Sequence, residues 1–401
     1  MIKKLVVLLV FFLNFSAFPQ IFTLSEESEI SILTIGPGDN LYDKFGHSAF
    51  RVKDFAKGTD IVFNYGVYDF DTPNFYTKFA QGKLNYRLAV SPYRPFIQNY
   101  IAQDRWVEEA ELELTYAEKV AIFTYLQNNA LPENQYYLYD FFYDNCATKI
   151  RDVLVEVLRD KIKYNSKFID KEYTFRELIQ KNVQANSWGS LGMDVAIGAV
   201  VDREATPWEY QFLPEYVQKA AATATITHLG ESQPLVKNLQ TIHRVQGERD
   251  SSGFFMSPLF VFGILGLIIM YITYRDYKQK TRSRYLDGTI FFITGLIGVF
   301  LCLLWFATDH TSTANNYNLL WAFPLSLFFF TLISKREPKK WLGRYVFLLP
   351  LMLIVLITHW VSGVQVYAIG LIPLLVALFI RYTYVFSFLK KQQAQVAGIN
   401  E

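Results

Sequence analysis

The sequence predicts an exported α+β domain followed by an all-α transmembrane domain of about five helices. Three observations lead there. Hydrophobic residues are unevenly placed along the 401-residue chain: residues 1–19 and nearly everything after residue 254 are far more apolar than the middle. The middle mixes short alternating runs with runs at helical spacing, the pattern of strands and helices around a core. In the apolar half, lysines and arginines fall on every second connection, as they do in membrane proteins. A formal net charge of +2 leaves no basic footprint for nucleic acid.

Residues 1–19 have the form of a secretory signal. Lys3 and Lys4 give a positive start and residues 5–13 a short apolar stretch. Ser16 and Ala17 make a mediocre cleavage site, so the segment is either a cleaved signal peptide or an uncleaved anchor. Either one exports the middle of the chain.

Residues 20–229 form the exported domain. Residues 29–35 (EISILTI) read as a strand, closed by the turn Gly36-Pro37-Gly38-Asp39. Residues 47–53 (HSAFRVK) and 61–68 read as a hairpin around the 54–59 turn. If it is symmetric about residues 56–57, His47 lies opposite the Tyr65–Gly66 region, with Asn64 and Tyr65 as near neighbours. Residues 83–90 give a further strand, 95–103 a short helix and 106–114 another strand. Thr115 with Glu118 is a capping box that opens a helix to about Asn129. Thr174 with Glu177 caps a second helix. Thr206-Pro207-Trp208-Glu209 is read as capping a third, with proline at its first position. Residues 230–253 are polar and read as a tether.

Five apolar spans occupy residues 254–389, at about 254–274, 288–307, 317–334, 345–360 and 364–386, each near the length a bilayer needs. Arg275, Lys278, Lys280, Arg282 and Arg284 come after the first span. Lys335, Arg336, Lys339, Lys340 and Arg344 come after the third, and Lys390 and Lys391 after the fifth. The loops at 309–316 and 359–363 carry no lysine or arginine. The basic loops and the tail at 390–401 are therefore cytoplasmic, and the exported domain shares the outer face with the other two loops.

The chemistry centres on YDFFYDNCATKIRD, residues 139–152, where an aromatic, strand-like run gives way to a helix. Ile150, Val153, Leu154, Val157 and Leu158 recur at helical spacing. Cys146 sits at the helix start, where the dipole favours thiolate, the nucleophile of acyl transfer. The other cysteine, Cys302, lies inside an apolar span, so Cys146 is a free thiol in an exported domain, where cysteines are usually paired. A cysteine nucleophile needs a base and a group to orient that base. Of five histidines, His47 is the one expected on a strand of the domain, since His228 and His243 are read as lying in the tether region. A strand-borne histidine facing a helix N-terminus is the papain-like arrangement, and histidine before cysteine is its circularly permuted order. Asn64, Tyr65 and Asp69 are candidates to orient His47. Asn145, or the backbone N–H of Cys146, is a candidate to bind an oxyanion, and Asn145 is equally a helix cap. No His/Cys/Asp cluster has metal-ligand spacing, and no metal or other cofactor is expected.

GPGDNLYDKFGHSAFRV, VFNYGVYDFDTPNFYTKFAQGKLNY, YDFFYDNCATKIRD and YQFLPEYV resemble the Lnb-type lipoprotein N-acyltransferases of Bacteroidota, as does TDHTSTANNYNLLWAFP in the membrane half. The resemblance covers nearly the whole chain, with GHS and DNCAT its most specific segments. It implies a periplasmic, permuted papain-like domain on a multi-span anchor in the inner membrane, with catalytic histidine and cysteine at His47 and Cys146. It further implies a phospholipid acyl donor, a diacylated apolipoprotein acceptor and a thioester on Cys146. Asp309, His310 and Trp321 in the outer loop region are read as helping to present a lipid headgroup or seal the site, unless they serve as interfacial anchors. Without the resemblance the residues would equally suit a tethered envelope cysteine hydrolase, or a scaffold with an incidental thiol.

Overall fold

A computed structural model describes residues 23–247 and 253–396; the expected signal or anchor at 1–19 lies outside the described residues. The exported domain is built on a seven-stranded antiparallel sheet. Its strands are β1 (Ser28–Ile35), β2 (His47–Asp54), β3 (Thr59–Val67), β4 (Asn85–Pro92), β5 (Val107–Leu112), β6 (Tyr136–Leu138) and β10 (Val236–His243). They lie in the order β10-β5-β1-β2-β3-β4-β6. The strands β7 (Ile162–Lys163), β8 (Thr225–His228) and β9 (Glu231–Pro234) form a small second sheet.

Alternation decides the faces. From β1, Ile30 and Ile32 join Phe50, Val52 and Phe63 in the main core, while Leu33 and Ile35 join Ala49 and Val62 on the other side. The helix α1 (Phe75–Ala80) comes after β3, and α2 (Tyr93–Ala102) covers the smaller face through Ile97. The main face is covered by α3 (Tyr116–Asn129) and α4 (Cys146–Leu158), through Ile122, Leu126, Ile150 and Leu154. The helices α5 (Phe175–Asn182), α6 (Trp188–Ala196) and α7 (Pro214–Thr223) complete the domain. The capping boxes read at Thr115 and Thr174 open α3 and α5.

Two expectations are corrected. Residues 230–243 are not a tether but β9 and β10, with β10 pairing to β5 at the sheet edge. An edge strand keeps polar residues on its exposed side, and VKNLQTIH is therefore poor in apolar alternation. Thr206 opens only a 3-10 turn, Glu209–Phe212, and the helix begins at Pro214.

The membrane half contains α8 (Pro258–Gln279), α9 (Arg284–Phe306), α10 (Leu325–Ile333), α11 (Lys340–Val361) and α12 (Ile372–Val396). Five segments are long and apolar enough to cross a bilayer. The third differs from the continuous span expected at 317–334. Its outer part is two 3-10 turns, Thr311–Thr313 and Tyr317–Leu320, before the nine-residue α10. Irregular backbone at this depth is tolerated because it is buried in protein, and buried Asn316 and Asn318 bond the neighbouring carbonyls. Glycines let α9 approach this segment closely. A Cβ on Gly295 would fall 2.1 Å from Leu327 N, and one on Gly298 2.0 Å from Ala322 O.

The two halves meet through buried polar groups. Arg176, 1% exposed, pairs with Asp194 at 2.9 Å and with Asp202 at 2.7 Å. Asp202 also accepts from Val366 N at 3.2 Å, in the loop between α11 and α12. Gly198 N and Ala199 N donate to Ser312 O and Asn315 O at 2.9 and 3.0 Å. A Cβ on Gly198 would stand 1.9 Å from Ala314 O, so only glycine fits there. Arg176→Ala would leave two carboxylates buried without their cation, which costs about 3–5 kcal/mol for such pairs. The expected result is a markedly lower thermal midpoint in detergent, against little change for Lys219→Ala, which breaks an exposed pair with Glu215.

Candidate active site

The turn before α4 is held by its own side chains. Asp140 Oδ1 accepts from the backbone N–H of Phe142 and Tyr143 at 2.8 and 2.9 Å, and Asp140 and Asp144 exchange backbone bonds. Asn145 then caps the helix, accepting from Ala147 N and Thr148 N at 2.8 and 2.9 Å, while Thr148 Oγ1 accepts from Asn145 N at 2.8 Å. Cys146 is thereby fixed as the first helical residue, partly exposed and unpaired to sulfur.

Opposite it stands His47, the first residue of β2. The β2–β3 ladder runs from Phe50↔Phe63 to Asp54↔Thr59, symmetric about residues 56–57 as the sequence suggested. Continued by three residues, that register sets His47 across from Gly66. Asn64 Oδ1 accepts from His47 Nε2 at 2.6 Å, which leaves Nδ1 for the Cys146 thiol, its other hydrogen-bond partner. The Tyr100 ring stacks on the imidazole with centroids 6.1 Å apart.

Burial works against charge on both groups, but their mutual attraction wins. Burial pushes the Cys146 thiol up; the charge and hydrogen bond of His47, with backbone N–H groups of Ser48 and Cys146 aimed at the sulfur, bring it below the ordinary thiol value. Burial likewise pulls His47 down, and the thiolate, its hydrogen bond and Asn64 raise it above the ordinary imidazole value. Each group therefore favours the charged form of the other.

Comparison with known families now bears on this geometry. The Lnb N-terminal periplasmic domain matches residues 18–181, and the Lnb transmembrane domain matches residues 249–393. The chain belongs to the Lnb family. Membership implies lipoprotein N-acylation by an acyltransferase, with the α+β domain in the periplasm. No curated protein and no solved structure matches the chain.

The other residues singled out in this Lnb chain have varied fates. Tyr65 is turned away from His47 by strand alternation; it is 3% exposed in the main core, edge-on to Tyr137. Asp69 is exposed and accepts from Asp71 N in its own turn. Asn145 cannot bind an oxyanion, because its amide group donates to Phe141 O and Phe212 O at 2.7 and 2.8 Å. Trp321 neither seals the site nor anchors at the surface. It is 5% exposed inside the helical bundle and donates to Asn318 Oδ1 at 2.8 Å. Asp309 and His310 do meet the periplasmic domain: Asp309 N donates to Gln81 O at 2.9 Å and His310 Nε2 to Phe79 O at 3.1 Å. Beside them Thr311 Oγ1 donates to Asp140 Oδ2 at 2.9 Å, so the outer loop touches the turn that leads to Cys146.

One residue was missed from sequence. The Tyr137 hydroxyl is buried and has no hydrogen-bond partner among the described residues. A Cβ on Gly66 would stand 3.3 Å from Cys146 Cβ and 3.8 Å from Tyr137 Oη, so the missing side chain leaves a space bounded by both. Gly66 also has a φ of +86°, which other residues rarely adopt. The signal was present in YYLYD: alternation turns Tyr136 and Leu138 to solvent, leaving Tyr137 and Tyr139 on the side of Cys146.

In a Cys302→Ser background, Cys146 should be alkylated by iodoacetamide with an inflection below that of an ordinary thiol. His47→Ala removes the largest lowering influence and keeps the burial, so its inflection should move to higher pH than in the parent. Asn64→Ala withdraws support from the imidazolium. The alkaline limb of any activity that uses the pair should then shift to lower pH, as read from a kcat/KM–pH profile.

Proposed function

We propose that this Lnb protein moves an acyl chain from a phospholipid to the α-amine of the S-diacylglyceryl cysteine of an immature lipoprotein, through a thioester on Cys146. The observation that carries the reading is Cys146 hydrogen-bonded to His47, itself held by Asn64, beside a turn bonded to the outer loop of the membrane domain. Both substrates are lipids confined to a bilayer, and the nucleophile stands at the face of the domain that meets it.

Cys146 thiolate attacks the ester carbonyl of the phospholipid. The carbonyl oxygen becomes an oxyanion, bound by the Tyr137 hydroxyl and the Cys146 N–H. Burial and the neighbouring Cys146 hold the Tyr137 hydroxyl well above the ordinary phenol range, which keeps it a donor. As the tetrahedral intermediate collapses, His47 gives its Nδ1 proton to the departing lysophospholipid oxygen, and the thioester remains. The lipoprotein amine attacks that thioester while His47 takes a proton from it. Collapse expels Cys146 as thiolate and leaves an amide. Asn64 keeps the imidazole in the required orientation in both halves.

Pre-acylated protein should discharge onto a diacylated lipopeptide with a free α-amine and not onto its N-acetylated counterpart; equal fatty-acid release with either would favour hydrolysis. Tyr137→Phe should lower the acylation rate about 10²–10³-fold, the usual cost of one oxyanion donor. Its iodoacetamide reactivity should stay close to that of the parent, because the thiolate pair is untouched.

A further inference from the structure

The helix α1 and the turn before it leave large apolar side chains mostly exposed. Phe70 is 63% exposed, Tyr76 78% and Phe79 55%. Such a cluster on a periplasmic domain is unfavourable in water. Its position relative to the spanning helix α9 is fixed by contacts. α9 spans Arg284–Phe306, and at 1.5 Å per residue its 23 residues reach about 34 Å, close to the thickness of a hydrocarbon core. Trp305 and Phe306 stack at its outer end, centroids 4.7 Å apart, where aromatic side chains gather at a bilayer surface. Three residues later the chain meets α1. Asp309 N bonds Gln81 O and His310 Nε2 bonds Phe79 O. Gly82, at φ +69°, lies so close that a Cβ there would be 3.1 Å from His310 N. α1 is thus held beside the outer end of this span.

The cluster does not end at the surface. Phe70 and Tyr68 pack on Phe75 with centroids 4.8 and 5.9 Å apart. Tyr68 meets Tyr86 at 5.5 Å, and Tyr86 stacks on Tyr139 at 4.2 Å. Tyr139 Cε2 lies 3.9 Å from the point where a Gly66 Cβ would stand, itself 3.3 Å from Cys146 Cβ. A run of aromatic rings therefore leads from the exposed lip to the space beside Gly66 that Cys146 borders.

We infer that Phe70, Tyr76 and Phe79 form a lip inserted in the outer leaflet, and that the ring track behind it carries the acyl-glycerol part of a leaflet lipid to Cys146. The occupant is lipid because the lip continues the membrane-facing surface of the spanning helices and lies in the same plane as their outer ends. Rings whose hydroxyls lie at the edge of an apolar surface suit the boundary between acyl chain and ester. The insertion of the lip stands on geometry alone; the role of the track rests on the acyl-transfer reading.

The test uses the full chain in phosphatidylethanolamine/phosphatidylglycerol vesicles. Tyr76→Cys, in a Cys146→Ala, Cys302→Ser background, is labelled with NBD, and Glu133→Cys serves as the exposed control. At position 76 emission should be blue-shifted and quenched by phospholipid carrying a nitroxide near the ester, with position 133 unaffected. Water-like emission at 76, or a blue shift that the nitroxide lipid does not quench, as contact with a second protein copy would give, overturns the lip. In a separate protein with both cysteines intact, Tyr76→Ser with Phe79→Ser should raise the apparent KM for bilayer phospholipid about tenfold. The kcat on a short-chain donor dispersed in detergent should be unchanged. Unchanged KM in bilayers overturns the track. Quenching at 76 with no acyl transfer by the parent protein would leave the lip standing and remove the acyl-transfer reading instead.

Discussion

The buried polar seam between the periplasmic domain and the outer loops is the constraint on which the rest depends. An apolar contact would allow sliding. Arg176 held by Asp194 and Asp202, with amide bonds from Gly198 and Ala199 to the 312–315 loop, restricts the two halves to one geometry in which these charges and amides are paired. Asn316 and Asn318 serve both halves, filling the broken third span and bonding Val195 O and Asp194 O. The seam thus sets the height of the domain above the bilayer, and with it the height of the turn at Asp140 that fixes Cys146.

Within that frame the local chemistry arises from two elements brought edge to end. A strand supplies His47 and a capped helix supplies Cys146, and each group shifts the other toward its charged form against the cost of burial. A thioester formed there would persist only where water is scarce. The ring of Tyr139 beside the Gly66 space and that of Tyr100 on His47 set apolar surface near the pair.

Sequence reading succeeded where local rules act alone. The 54–59 turn fixes the hairpin register, and the register brought Asn64 to His47; the T-x-x-E boxes opened their helices where expected. It failed where tertiary context decides. The segment 230–243 carries too little apolar alternation to read as a strand, yet it finds β5 because a sheet edge needs few apolar contacts. Register alone could not separate Asn64 from Tyr65; the pleat does, since neighbours on a strand face opposite sides. Trp321 looked interfacial because the outer part of its span is too polar to bury in lipid, but asparagines bury it in protein. The lip around α1 is visible in sequence only as aromatic richness, because its exposure depends on where Gly82 meets His310.

The most direct measurement is the mass of the intact purified protein after incubation with phospholipid and no acceptor. The account predicts an increase of one acyl chain on Cys146, removed by neutral hydroxylamine and missing in Cys146→Ala. An acyl adduct on another residue, or acyl transfer that persists in Cys146→Ala, would contradict it.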